Sequence, residues 1–159
     1  MATRLSLQAR CRMTGFSLIE LMVTLVIASI LLTIAIPSYL THIRESRRTE
    51  AKTALVDLAG REETLYSTTN QYSTVPTAVG YTGASFPVQV GSNYYSVNVQ
   101  VPNPNANSPA ASFLITATPV AGSSQAKDGP CQSFTVDQLG NQTALDSGGA
   151  VNTQTCWGS

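Results

Sequence analysis

The sequence predicts an α+β fold: a long N-terminal helix, transmembrane in its first half and amphipathic in its second, packed on a small antiparallel sheet of three to four strands. Three observations carry that prediction. From Phe16 to Ile36 the chain has 21 residues with one charge, Glu20. At about 1.5 Å per residue this run makes a helix of roughly 32 Å, long enough to cross a bilayer core of about 30 Å. Beyond it, apolar residues recur at helical spacing, and from Tyr94 they alternate with polar ones as in a half-buried strand. Two cysteines, Cys131 and Cys156, mark the C-terminal part.

The 159 residues leave room for one modest domain besides the apolar segment. Nine Lys/Arg balance nine Asp/Glu, so the whole chain has no strong bulk attraction to nucleic acid or anionic surfaces. Residues 1–15 hold Arg4, Arg10 and Arg12; without them six Lys/Arg face nine Asp/Glu, a net of −3. Removing them also takes Cys11 and turns an odd cysteine count even. A Cys131–Cys156 disulfide is then the simple reading, and it sets the C-terminal part in an oxidising compartment.

The apolar run is too long for an ordinary secretory signal peptide, whose apolar region is roughly 7 to 15 residues before a small-x-small site. Here the run continues into Ile34-Ala35-Ile36-Pro37-Ser38-Tyr39-Leu40, and the one well-placed glycine, Gly15, lies before it. Gly15-Phe16-Ser17-Leu18-Ile19-Glu20, followed by that run and Ile36-Pro37-Ser38-Tyr39, resembles the prepilin leader and N-terminal helix of type IV pilins and pseudopilins. The resemblance implies cytoplasmic-side cleavage between Gly15 and Phe16 and N-methylation of Phe16. Residues 1–15 would then be a removed leader, 16–40 the transmembrane half of the helix, 41–68 its amphipathic half and 69–159 a globular pilin head.

Within the run, Glu20 needs its own account. A carboxylate at the centre of a membrane helix costs about 2.5 to 3.5 kcal/mol on insertion scales. Either it reaches water near the interface, as a first-turn acid favoured by the helix dipole, or, as the resemblance implies, it pairs with the Phe16 amine of a neighbouring subunit during assembly. Pro37 sits where helical periodicity continues on both sides and removes the bond to the Thr33 carbonyl, which kinks a helix or costs about 3 kcal/mol. In filaments of the family this segment can unwind, eased here by Ser29 and Thr33. Positive charge flanks the run on both sides, with Arg44, Arg47, Arg48 and Lys52 following it, so charge alone does not orient it. The leader and the cysteines put the N-terminus in the cytoplasm.

Ala51, Leu55, Leu58, Leu65 and Tyr66 then share one helical face, with Arg47, Arg48, Lys52, Asp57 and Arg61 largely outside it, and the helix extends to about Thr68. The stretch from Arg44 to Ser67 is similar to the second helix half of PilE-type minor pilins, through Arg44, Arg47, Arg48, Thr49, Glu50, Glu63 and Tyr66. Arg44, Glu45, Arg47, Arg48 and Glu50 are candidates for interhelical salt bridges in a filament, or for a solvated face. Residues 73–92 read as a structured loop whose Tyr72, Tyr81 and Phe86 pin it to a small core.

Strands are expected over Tyr94–Val101, with Tyr95, Val97, Val99 and Val101 on one side, over Ser112–Thr118 through Phe113, Ile115 and Ala117, and over Gln132–Leu139 through Phe134 and Val136. Gly140-Asn141 supplies a hairpin turn into Gln142–Leu145. Residues 102–109 read as a turn-rich connector. The Gly/Ser/Asn-rich stretch from Asp146 to Trp157 needs the disulfide to order it, with Trp157 packed on that bridge. The family uses the loop between such cysteines in subunit contact and, in some members, adhesion.

Enzyme chemistry finds no support. There is no G-x-S-x-G elbow, no phosphate-binding glycine loop and no CxxC, and His42 is the one histidine. Asp128, Asp137 and Asp146 are too widely spaced for a recognisable calcium loop. The sequence therefore predicts no cofactor, no metal and no catalytic residue. It predicts a structural pilus subunit, a minor pilin of the inner membrane with a periplasmic head and later an extracellular pilus. Its partners would be other pilin subunits, prepilin peptidase, the assembly platform and membrane lipid. No nucleic-acid partner is expected, because the mature chain is acidic and Arg44, Arg47 and Arg48 would lie inside a filament. The alternatives are a type II secretion pseudopilin and a membrane-anchored adhesion or DNA-uptake module.

Overall fold

A computed structural model describes residues 15–102 and 111–158. Arg4, Arg10, Arg12 and Cys11 of the expected leader, and most of the connector read at 102–109, lie outside the described residues. Helix α1 runs from Leu18 to Thr69. The chain divides into two compact units, Met1–Tyr39 and Leu40–Ser159.

In the first unit α1 carries only apolar, small and hydroxyl side chains around Glu20, and an 18-residue window reaches a mean hydropathy of 2.5 with none of it buried. Three of its hydroxyls bond back to the helix. Thr24 Oγ1 donates to the Leu21 carbonyl at 2.9 Å, Ser29 Oγ to Val26 at 2.8 Å and Thr33 Oγ1 to Ile30 at 2.6 Å. Such back-bonding satisfies a hydroxyl where no water is present. Pro37 lies inside the assigned helix.

The second unit is built on one five-stranded antiparallel sheet in the order β1-β2-β3-β4-β5. The strands are β1 (Val88–Val90), β2 (Tyr95–Gln100), β3 (Leu114–Pro119), β4 (Ser133–Asp137) and β5 (Gln142–Leu145). Each strand pairs with its sequence neighbour, so every connection is local. The expected sheet of three to four strands has a fifth, β1, which lies in the segment read as loop. Its register sets Val88 opposite Val97 and Val90 opposite Tyr95.

The core forms where period 3.6 on the helix meets period 2 on the sheet. Ala51, Leu55 and Leu58 of α1 are fully buried with Tyr95 and Val97 of β2, Ile115 and Ala117 of β3 and Phe134 of β4. Tyr72, Tyr81 and Phe86 pack on this core, so the segment between helix and sheet is pinned as expected. Two 3-10 turns, Pro76–Val79 and Ser124–Lys127, and a short helix α2 (Thr153–Trp157) complete the unit. Cys131 and Cys156 are disulfide-bonded across 5.8 Å between Cα atoms, and both are buried. The Trp157 indole donates Nε1–H to the Thr143 carbonyl at 3.0 Å and meets Phe134 edge-on at 6.0 Å. Its partners are the Thr143 carbonyl of β5 and the Phe134 ring of β4.

Candidate functional site

Two features stand out chemically: an apolar helix with one acid, and a loop between β3 and β4 that is bolted to α1. On the first, Phe16 is 78% exposed and Glu20 is exposed one turn along. The helix opens with the Glu20 and Leu21 amides both on the Ser17 carbonyl, at 3.1 and 3.2 Å. A first-turn carboxylate there complements the positive end of the helix. Leu18, Ile19, Met22, Leu25 and their successors present a continuous apolar surface to the surroundings. An uncovered surface of this size requires lipid or another apolar helix against it.

The second feature was not legible in the sequence. Arg48 is buried, and its guanidinium makes two parallel bonds to Asp128, Nε to Oδ2 and Nη2 to Oδ1, each 2.8 Å. The bond to Asp128 is the chief reason the Arg48 pKa is raised, against the opposing cost of burial. Gln125 joins them: its amide nitrogen lies 2.8 Å from the Tyr95 hydroxyl, 3.0 Å from Asp128 Oδ2 and 3.1 Å from the Arg44 carbonyl. Arg47 stacks its guanidinium 3.6 Å over the Tyr94 ring and donates to Ser124 Oγ at 2.6 Å. Lys52 donates to the Trp157 carbonyl at 3.3 Å, and burial lowers its pKa.

These contacts correct one expectation. Arg48, read as lying outside the apolar face and available to a neighbouring helix, is spent inside its own head on Asp128. Its partner sits 80 residues away, a separation at which sequence spacing is silent. Asp128 is likewise committed to Arg48, which removes it from any calcium set. Glu50 accepts from the Ser92 amide and hydroxyl at 3.0 and 3.1 Å. Gly91, at φ 57, is what lets that carboxylate lie so close, since a Cβ there would meet Glu50 Oε2 at 2.5 Å. Glu45 lies 3.4 Å from the exposed His42 ring. Among the described residues no group of three His, Cys, Asp or Glu is gathered as for a metal ion.

An apolar N-terminal helix whose second half is buried against a small antiparallel sheet, with a C-terminal disulfide, defines a pilin-type protein. Comparison with known proteins takes this further. A model for the prokaryotic N-terminal methylation motif matches residues 10–36, and a model described as "Type IV minor pilin ComP, DNA uptake sequence receptor" matches residues 37–135. The second match takes in more than half of the chain, and the chain belongs to this type IV minor pilin family. It is also similar to the type IV major pilin protein PilA of Myxococcus xanthus (strain DK1622), with 37% identity over 70 residues. That stretch is 44% of this chain and 32% of the relative, so the match spans about a third of the relative's length.

Proposed function

We propose that this chain is a structural subunit of a type IV pilus, a minor pilin acting in pilus assembly or initiation and through it in twitching motility or adhesion. The observation that carries the reading is the order of two matches on one chain: a methylation motif over residues 10–36, then a minor-pilin family model from residue 37. On this reading prepilin peptidase cuts between Gly15 and Phe16 and Phe16 is N-methylated. The inner membrane holds residues 16–40, with the N-terminus cytoplasmic and the head periplasmic until the assembly platform moves the subunit into the filament. Glu20 pairs with the Phe16 amine of a neighbouring subunit, which removes both charges from hydrocarbon together, and Pro37 marks where the helix can yield.

A deletion strain tests the reading. Lost pili and twitching with intact exoprotein secretion supports a pilin; the reverse pattern supports a type II secretion pseudopilin and sinks the proposal. Intact mass of the purified protein should show loss of residues 1–15 and the addition of one methyl group, about 14 Da. Glu20→Ala should leave that processing normal and lower filament yield; unchanged yield removes Glu20 from assembly.

A second reading, DNA uptake, is favoured by the family description, which names a DNA uptake sequence receptor. It runs against the expectation of no nucleic-acid partner, and the cations of the head bear on it. Arg48, Arg47 and Arg61 are engaged with Asp128, Tyr94 and Asp57 respectively. Lys127 is exposed on the turn before Asp128. Salt-sensitive retention of duplex DNA by the full chain supports this reading.

A further inference from the structure

The sheet-facing stripe of α1 ends on a carboxylate. Glu62 follows Ala51, Leu55 and Leu58 at helical spacing and, like them, is fully buried. One of its oxygens, Oε2, accepts from the Ser73 amide at 3.0 Å, while Oε1 is buried without a hydrogen-bond partner among the described residues. Ser73 lies just past the end of α1, where the chain reverses through Asn70 at φ 54. Tyr72 beside it stacks on Tyr66 at 4.6 Å, meets Phe113 edge-on at 4.9 Å and donates its hydroxyl to Glu63 at 2.8 Å.

We propose that Glu62 is a proton-operated latch on the chain leaving α1: as the neutral acid it holds Ser73 down on the core, and as the carboxylate it draws water in and loosens residues 70–76. The physical reason is an asymmetry of cost. A buried neutral carboxyl with one open position is far cheaper than a buried carboxylate with one oxygen unpaired.

The surroundings do not relieve the charge. On α1 the neighbouring titratable groups are Glu63, whose negative charge opposes ionisation, and Tyr66; from the following segment comes Tyr72. The core side chains of β2 and β3 are Tyr95, Val97, Val99, Ile115 and Ala117, with Phe113 just ahead of β3; only Tyr95 among them titrates, and its hydroxyl is bonded to Gln125. Arg61, the preceding residue, gives its guanidinium to Asp57 and the Val79 carbonyl. Burial accordingly pushes Glu62 above its ordinary value of 4.5, with the Ser73 amide pulling the other way and Glu63 adding to the rise. The sign follows: with the folded value raised, the latch is fully set below the ordinary carboxylate value and is lost as pH rises through the folded one.

The test uses the full chain in detergent micelles. Amide hydrogen exchange of wild type should show the protection factor at Ser73 falling at least about tenfold more between pH 4.5 and pH 8 than in Glu62→Gln, which keeps the neutral shape. An equal change in both proteins overturns the proposal. A second readout does not depend on the variant folding: the side-chain carboxyl carbon of Glu62, followed by NMR in the wild type, should titrate above 4.5, and a midpoint at or below that value overturns the latch.

Discussion

At Arg48 and Asp128 a guanidinium and a carboxylate leave water together, and the cost of doing so is offset because two parallel bonds join them and Asp128 accepts a third from Gln125. Removing one partner strands the other. Arg48→Leu should therefore destabilise the head by ~3 to 5 kcal/mol, read from denaturant unfolding of the full chain in detergent. The double variant Arg48→Leu with Asp128→Leu should recover part of that loss, because no charge is left buried; a loss below ~1 kcal/mol in the single variant would show that the pair is solvated. The same two residues mark where sequence reading stops. Periodicity put Ala51, Leu55 and Leu58 in the core, because apolar spacing reports burial. It put Arg48 outside and passed over Glu62, because a buried charge is defined by its partner or by the lack of one, and a partner 80 residues away leaves no local trace.

At the scale of elements, β2 to β5 were legible from alternation and from the Gly140-Asn141 turn, and the second half of α1 from its apolar stripe. Strand β1 was not. Three residues, Val88-Gln89-Val90, are too few to display a period, and the strand exists because β2 offers Tyr95 and Val97 opposite Val90 and Val88. The β4–β5 turn carries its own lock. Asp137 accepts from the Leu139 and Asn141 amides and from the Asn141 side chain, at 2.9, 2.8 and 2.8 Å. The Asn141 side chain is the main reason its carboxyl is held below the ordinary 3.8, the two backbone amides adding to it. A depressed value means a contribution present above 3.8 and lost as pH falls through the folded value. Asp137→Ala should lower the thermal midpoint at pH 7 and flatten the midpoint's fall below pH 4, measured by circular dichroism. The C-terminal closure depends on covalent chemistry. Cys131 and Cys156 are 25 residues apart, and a loop of that length contributes about 3 kcal/mol by restricting the unfolded chain. Replacing both by Ala should cost about that much and expose the Trp157 indole, seen as a red shift in fluorescence.

For the whole molecule, a long apolar helix delivers a head whose charges are mostly used internally, and this decides how such a head can meet a polyanion. Phosphate binding scales with cations free to displace counterions, and each contact steepens the logarithmic dependence of affinity on salt by about 0.9. Of the six Lys/Arg beyond residue 15, Arg48 is buried on Asp128, Arg61 is paired with Asp57, Arg47 lies over Tyr94 and Lys52 reaches the Trp157 carbonyl. Among the described residues, that leaves Lys127, exposed, and the half-buried Arg44. One or two phosphate contacts predict a slope no steeper than about −2, and any sequence preference would have to come from neutral side chains reading base edges or groove shape. Binding of a fluorescent DNA duplex to the full chain across a salt series measures this. Lys127→Ala should then take about 0.9 off the slope without changing the unfolding midpoint. A wild-type slope of about −3 or steeper would mean that Arg47, Arg61 or Lys52 leaves its partner for DNA, and that the head rearranges as it binds.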